Sequence, residues 1–236
     1  MNTKGIKIYS DLDQRYTELL TLKILQYSNN IFGNLNSYDK YIKVIELKKE
    51  TSNYNITKEE DGYFDASTKK IRLTVNKNIL LVYENLFHQM QHAQNNIKNI
   101  FNLKAINKYP LIYTFIDKYL AYSLTMNYMI NKEFIKNQKL LTWYIRHVSN
   151  KNNNSNLEAN IKFLKDICSK DNSELSCDND LNDILNDIAF SIAKINILKI
   201  NNFNIKLSPL IIELDKMKSP ITIKECKDIQ YILDII

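Results

Sequence analysis

Apolar and polar positions along the chain separate a mixed N-terminal stretch from a long helical remainder. From Leu12 to Phe32, apolar residues recur at helical spacing (Leu19, Leu20, Leu22, Ile24, Leu25), and Gly33 supplies a C-terminal stop. Tyr41 to Leu47 is a short apolar run with β-branched residues and reads as a strand. Asp61-Gly62-Tyr63-Phe64-Asp65 reads as a turn. Beyond it Ile71, Leu73 and Val75 alternate with Arg72, Thr74 and Asn76, the two-residue period of a half-buried strand.

From Asn78 the period changes to that of helices. Ile79, Tyr83, Leu86, Met90, Ala93 and Ile97 form one apolar stripe on a helix predicted from Asn78 to Ile100. Further helices are predicted over Tyr109 to Met129, with Pro110 in the first turn, and over Phe134 to His147. The Asn-rich stretch from Asn150 to Asn156 is the best boundary, dividing residues 1–150 from a helical extension over 151–236. In that extension Leu157 to Ile167, Leu181 to Ile200 and Thr222 to Ile235 read as helices, the last opened by a Thr222/Glu225 capping box. The acidic run Asp178 to Asp183 lacks the glycine and terminal glutamate of a calcium loop, and reads as the charged start of a helix.

These elements predict an α+β fold, mostly helical, with a small sheet of three or four strands in the N-terminal half. Three Gly and three Pro among 236 residues agree, because long helices need few turn residues. With 44% hydrophobic residues the chain can bury a core without disulfides, and Cys168, Cys177 and Cys226 form no paired metal or redox motif. The net charge of +6 raises the question of nucleic acid. Its basic residues, however, are mostly scattered lysines, with arginine only at Arg15, Arg72 and Arg146, so no nucleic-acid partner is expected. No apolar leader or membrane-length run is read, and a cytoplasmic, soluble protein is expected.

His88 and His92 carry the candidate chemistry. Two histidines four residues apart on a helix share a face one turn apart, where both imidazoles can grip one ion. They stand off the apolar stripe, so the helix can bury one side and present the pair on another. Such a pair by itself is also compatible with purely structural histidines.

The surroundings extend the pattern. Asp61-Gly62-Tyr63-Phe64-Asp65, then Ile71-Arg72-Leu73, then Leu86-Phe87-His88-Gln89-Met90-Gln91-His92-Ala93 resembles the heart of compact zincin-type zinc metallopeptidases over about residues 60 to 130. In those enzymes a Gly-aromatic turn and an edge strand precede a helix reading His-Glu-x-x-His. The resemblance implies a gluzincin-like domain, zinc as cofactor, and a protein or peptide substrate cradled by the strand.

Gln89 stands where the resemblance expects the glutamate that takes a proton from zinc-bound water. An amide has nearly the same shape and is not a base, so hydrolysis should be crippled. A substitution made on purpose and a naturally degenerate peptidase both fit. For the third ligand the resemblance offers Asp117, but if Ala121 marks the family's small residue, Lys118 occupies that position and opposes metal binding. Glu84 is either a partner that fixes an imidazole or an exposed helix carboxylate. His147 is either an oxyanion stabiliser or a histidine near a helix end.

Three readings follow: a zinc peptidase with its base replaced, a pseudo-peptidase kept as a binding module, and a metal-free helical interaction protein. The first two make the strand from Ile71 to Val75 a border of the cleft, with one backbone edge unpaired for an extended peptide.

Overall fold

In the computed structural model the described residues are 2–49, 62–75, 78–97, 107–131, 134–150, 157–168, 179–199, 207–217 and 222–235. The chain forms two compact units, Met1–Lys98 and Asn99–Ile236. The first is α+β and the second, among its described residues, is helical.

The first unit begins with strands β1 (Asn2–Thr3) and β2 (Ile6–Ser10), which the sequence reading passed over. Helix α1 (Gln14–Phe32) follows, opened by the Asp13 carboxylate, which accepts the Tyr16 N–H at 2.9 Å. It stops at Gly33, whose φ of 79° a residue with a Cβ rarely adopts. Then come β3 (Val44–Lys49), β4 (Gly62–Asp65), β5 (Lys70–Val75) and helix α2 (Ile79–Ile97).

The strands form one mixed sheet in the order β1-β2-β3-β5-β4. Among the described residues this is the small sheet expected, four strands of four to six residues with the two-residue β1 added at one end. Strands β2, β3 and β5 run parallel, while β4 returns antiparallel beside β5. Ile6, Ile8, Ile45, Leu47, Ile71, Leu73 and Val75 are all buried, which fixes one face of the sheet as the core face. The outer face carries Tyr9, Glu46, Arg72 and Tyr63. Helix α2 packs against β4, β5 and α1.

This order corrects one expectation. Strand β5 is interior, paired to β3 on one side and β4 on the other, so neither of its edges is open. Among the described residues the open edge beyond β5 belongs to β4, the segment read as a turn from its glycine and flanking aspartates. Pairing to β5 overrides that local preference. The tight turn lies one step on, where the Asp65 carboxylate accepts the Ser67 and Thr68 hydroxyls at 2.7 and 2.6 Å. These bonds pull its pKa down to about 2.

The second unit comprises α3 (Pro110–Ile130), α4 (Gln138–Asn150), α5 (Leu157–Cys168), α6 (Asn179–Leu198), α7 (Ser208–Lys216) and α8 (Ile223–Ile235). Residues 151–156, where the sequence suggests a boundary, lie outside the described residues, as do Cys177 and Asp178. Helices α3 and α6 form the central pair, with α4 and α5 against α6. Phe115, Ile116, Ala121 and Met129 of α3 are buried, as are Leu185, Ile188, Ile192 and Ala193 of α6. Tyr119 of α3 donates to Asp215 of α7 at 3.0 Å and accepts from Asn196 of α6 at 3.1 Å, tying three helices at one point. The predicted capping box opens α8, with Thr222 N–H donating to the Glu225 carboxylate at 2.6 Å. Helix α7 was not read from the sequence, although Ser208-Pro209 and the i, i+4 pair Leu210/Leu214 mark it. No helix among the described residues is long and apolar enough to cross a membrane.

Candidate functional site

Strand β5 leads through a short link to α2, where the Asn78 side chain accepts the Leu80 N–H at 3.1 Å and starts the helix. Val82, Tyr83, Leu86, Phe87, Met90 and Ala93 are buried, so the apolar stripe faces the core. Phe87 stacks on Tyr27 of α1 at 4.2 Å between ring centroids.

The helix also buries polar groups. Glu84 is 4% exposed and His88 8%, while His92 is half-buried. The reading of Glu84 as an exposed carboxylate is thereby excluded, and His88 is nearly as buried as the stripe it was expected to stand clear of. Packed on both the sheet and α1, helix α2 leaves little of this face to solvent. The two imidazoles approach edge to face, with Nε2 atoms 3.1 Å apart and ring planes at 88°.

Gln91 and Asn95, on the side of α2 toward α1, are each 1% exposed. The Tyr27 hydroxyl donates to the Gln91 carbonyl at 3.4 Å, and the Gln91 amide donates to Asn95 at 3.2 Å and also to Gln94. Gln94 in turn donates to the Ile31 backbone carbonyl. This network fixes α2 against α1, and with it the rotation of the histidine-bearing face. The sequence reading did not single it out. Its signal was a run of amides inside an otherwise apolar helix.

Gln89 lies on the side of α2 toward β4. A Cβ built on Gly62 would stand 3.7 Å from the Gln89 Cγ, 2.7 Å from a Leu73 methyl and 3.1 Å from the Arg72 carbonyl. The tight approaches are to β5, so a side chain here would crowd the neighbouring strand, while the distance to Gln89 is an ordinary contact. The residue at the expected base position thus lies under the core face of β4, the edge strand among the described residues.

Two imidazole nitrogens on one tetrahedral zinc, each about 2.1 Å from the ion, stand about 3.4 Å apart. The observed 3.1 Å is close to that separation, and equally close to a hydrogen bond between two neutral imidazoles in complementary tautomers. Among the described residues no group of three His, Cys, Asp or Glu side chains gathers as a metal cage.

The other residues singled out from the sequence belong to the second unit. Asp117 is half-buried on α3 near Tyr113, whose hydroxyl is pushed up to about 12 by burial and then by the Asp117 charge. The Lys118 amine donates to Asn186 of α6 at 3.2 Å. His147 stacks on Trp143 one turn earlier in α4, with ring planes 10° apart.

No family model matches the chain, and no curated protein or solved structure is similar enough to it to show a family or a fold.

Proposed function

We propose that the first unit is a zincin-like, zinc-binding peptide cradle: His88 and His92 hold the ion, β4 pairs with an extended peptide, and Gln89 leaves hydrolysis crippled. The observation that carries this reading is the convergence of two imidazole nitrogens to 3.1 Å on the helix whose Gln89 lies on the side toward Gly62 of β4, the edge strand among the described residues. Ion, motif position and strand edge would then meet within one unit. Zinc there would supply a Lewis acid for a peptide carbonyl or a bound water.

The chain's own residues set the limits of the chemistry. The Gln89 amide can donate a hydrogen bond through its N–H or accept one through its carbonyl, but it takes up no proton. Losing a general base typically slows such a reaction by about a hundredfold to ten-thousandfold. Backbone groups along β4 can pair with a peptide whatever residue stands at 89. Binding therefore outlives catalysis, which favours the pseudo-peptidase form of the zincin reading.

The test uses the full chain and a mixture of blocked peptides. Zinc-dependent peptide retention by the Gln89 protein, and chelator-sensitive cleavage by the Gln89→Glu variant, are the expected results. Cleavage by the unaltered protein at the rate of the variant would overturn the assignment of Gln89. Failure to retain any peptide, with or without zinc, would overturn the cradle.

A further inference from the structure

The register of the sheet places four side chains in one row on its outer face. Tyr9 stands opposite Glu46, Glu46 opposite Arg72, and Arg72 opposite Tyr63. Glu46 binds two cations, the Lys70 amine at 2.6 Å and the Arg72 Nε at 3.0 Å. Glu46 and Asp65, the latter opposite Lys70, set two carboxylates against Lys70 and Arg72, so the charges here balance and Arg72 is the cation placed over the Tyr63 ring. The Arg72 guanidinium also lies 5.7 Å from the centre of the Tyr63 ring, and both residues are substantially exposed (side chain 48% for Arg72, residue 45% for Tyr63). Asp65, two residues along β4 on the same face, engages its carboxylate with Ser67 and Thr68.

Alternation along β4 gives this row a meaning for a paired peptide. Gly62 faces the core side, opposite Leu73 and beside Gln89, whereas Tyr63 faces the outer side. In a strand added to β4, the residue opposite Gly62 points toward Gln89 and its neighbour in sequence, opposite Tyr63, points outward. That neighbour lies against the exposed ring of Tyr63, within reach of the Arg72 guanidinium. Arg72 gives Glu46 only its Nε–H in the pair described, and a guanidinium carries further donors in the same plane.

We infer that Arg72, seated on Tyr63, selects an acidic side chain at the peptide position adjacent to the one that faces Gln89. The inference rests on the reading of β4 as a peptide-binding edge and names the specificity of that edge. The preferred ligand is an extended segment with Glu or Asp at this one outward position. Lysine there meets the Arg72 guanidinium as a like charge, while Lys70 is offset by Glu46 and by Asp65 opposite it.

The test measures binding of fluorescently labelled, end-blocked Thr/Ser decapeptides to the zinc-loaded full chain by anisotropy. Glu, Gln or Lys is moved through each position in turn. At one register position Glu should bind about threefold tighter than Gln, and Lys weaker than Gln, with the differences shrinking as salt is added. Arg72→Gln should abolish the preference and Arg72→Glu should invert it toward Lys. Tyr63→Ala should weaken all three peptides without inverting their order. Equal binding of Glu and Lys peptides at every position would overturn the inference and leave the cradle standing. A Glu preference surviving in both Arg72 variants would do the same. If no peptide binds the unaltered chain at all, the cradle itself fails, and the inference with it.

Discussion

Helices α2 and α6 are of nearly equal length, 19 and 20 residues, and both are largely buried in their own units, but they fill their buried positions differently. Helix α6 buries Leu181, Leu185, Ile188, Ala189, Ile192, Ala193 and Ile195, with Ser191 and Lys194 as its buried polar residues. Helix α2 buries Glu84, His88, Gln91 and Asn95 among its apolar positions. Desolvating a polar group costs free energy that an aliphatic side chain would not. Helix α6 carries this cost at Ser191 and Lys194, and α2 at four positions. On α2 the polar groups form two sets: the amides Gln91 and Asn95 toward α1, and the Glu84, His88 and His92 series at four-residue intervals. The first set locks the helix and the second set is the one with chemistry to offer.

The contrast can be broken or sharpened by substitution. Phe87→Ala on α2 and Ile188→Ala on α6 should each cost about 2–5 kcal/mol in urea unfolding, because both side chains are fully buried. The apolar half of α2 is thus expected to weigh as much as α6. Gln91→Met should cost less, about 1–2 kcal/mol, by stranding the groups that Gln91 bonds. It should leave zinc uptake intact if that network only locks the helix, and loss of uptake would join the two polar sets into one. Away from both helices, Thr222→Ala should cost about 1 kcal/mol by removing the α8 cap. The smallest effect is that of acid on the β4–β5 turn. Asp65 has its pKa lowered in the folded chain, so its contribution is present above the ordinary aspartate range and lost as pH falls toward 2. An NMR titration of the Asp65 carboxyl should show a midpoint near 2, and a midpoint of ordinary aspartate would contradict the hydroxyl bonds.

How much of this was legible in the sequence differs along the same line. Helices with a regular apolar stripe and a clear start, such as α3 behind Pro110 and α8 behind Thr222, are predicted to within a few residues. Short strands fared worse. Ile6 and Ile8 alternate as strand residues do, but two apolar positions give a weak period, and Gly62 to Asp65 carries turn-forming residues at both ends. Which strand would be the edge is a property of sheet order, which no local pattern encodes. For the site, the spacing of His88 and His92 foretells a shared face. The amide lock on α1 depends on packing partners more than fifty residues away. Arg72 and Lys70 converge on Glu46 for the same reason: only the β3–β5 register brings them together.

Whether His88 and His92 form a metal site or a hydrogen-bonded imidazole pair is the point on which the account turns. Calorimetric titration of the chelator-stripped full chain with zinc decides it most directly, run beside His88→Ala and His92→Ala. One zinc per chain, with affinity lost in either variant while both remain folded by circular dichroism, is the predicted result. No binding to the unaltered chain, or binding that survives both substitutions, would contradict the account.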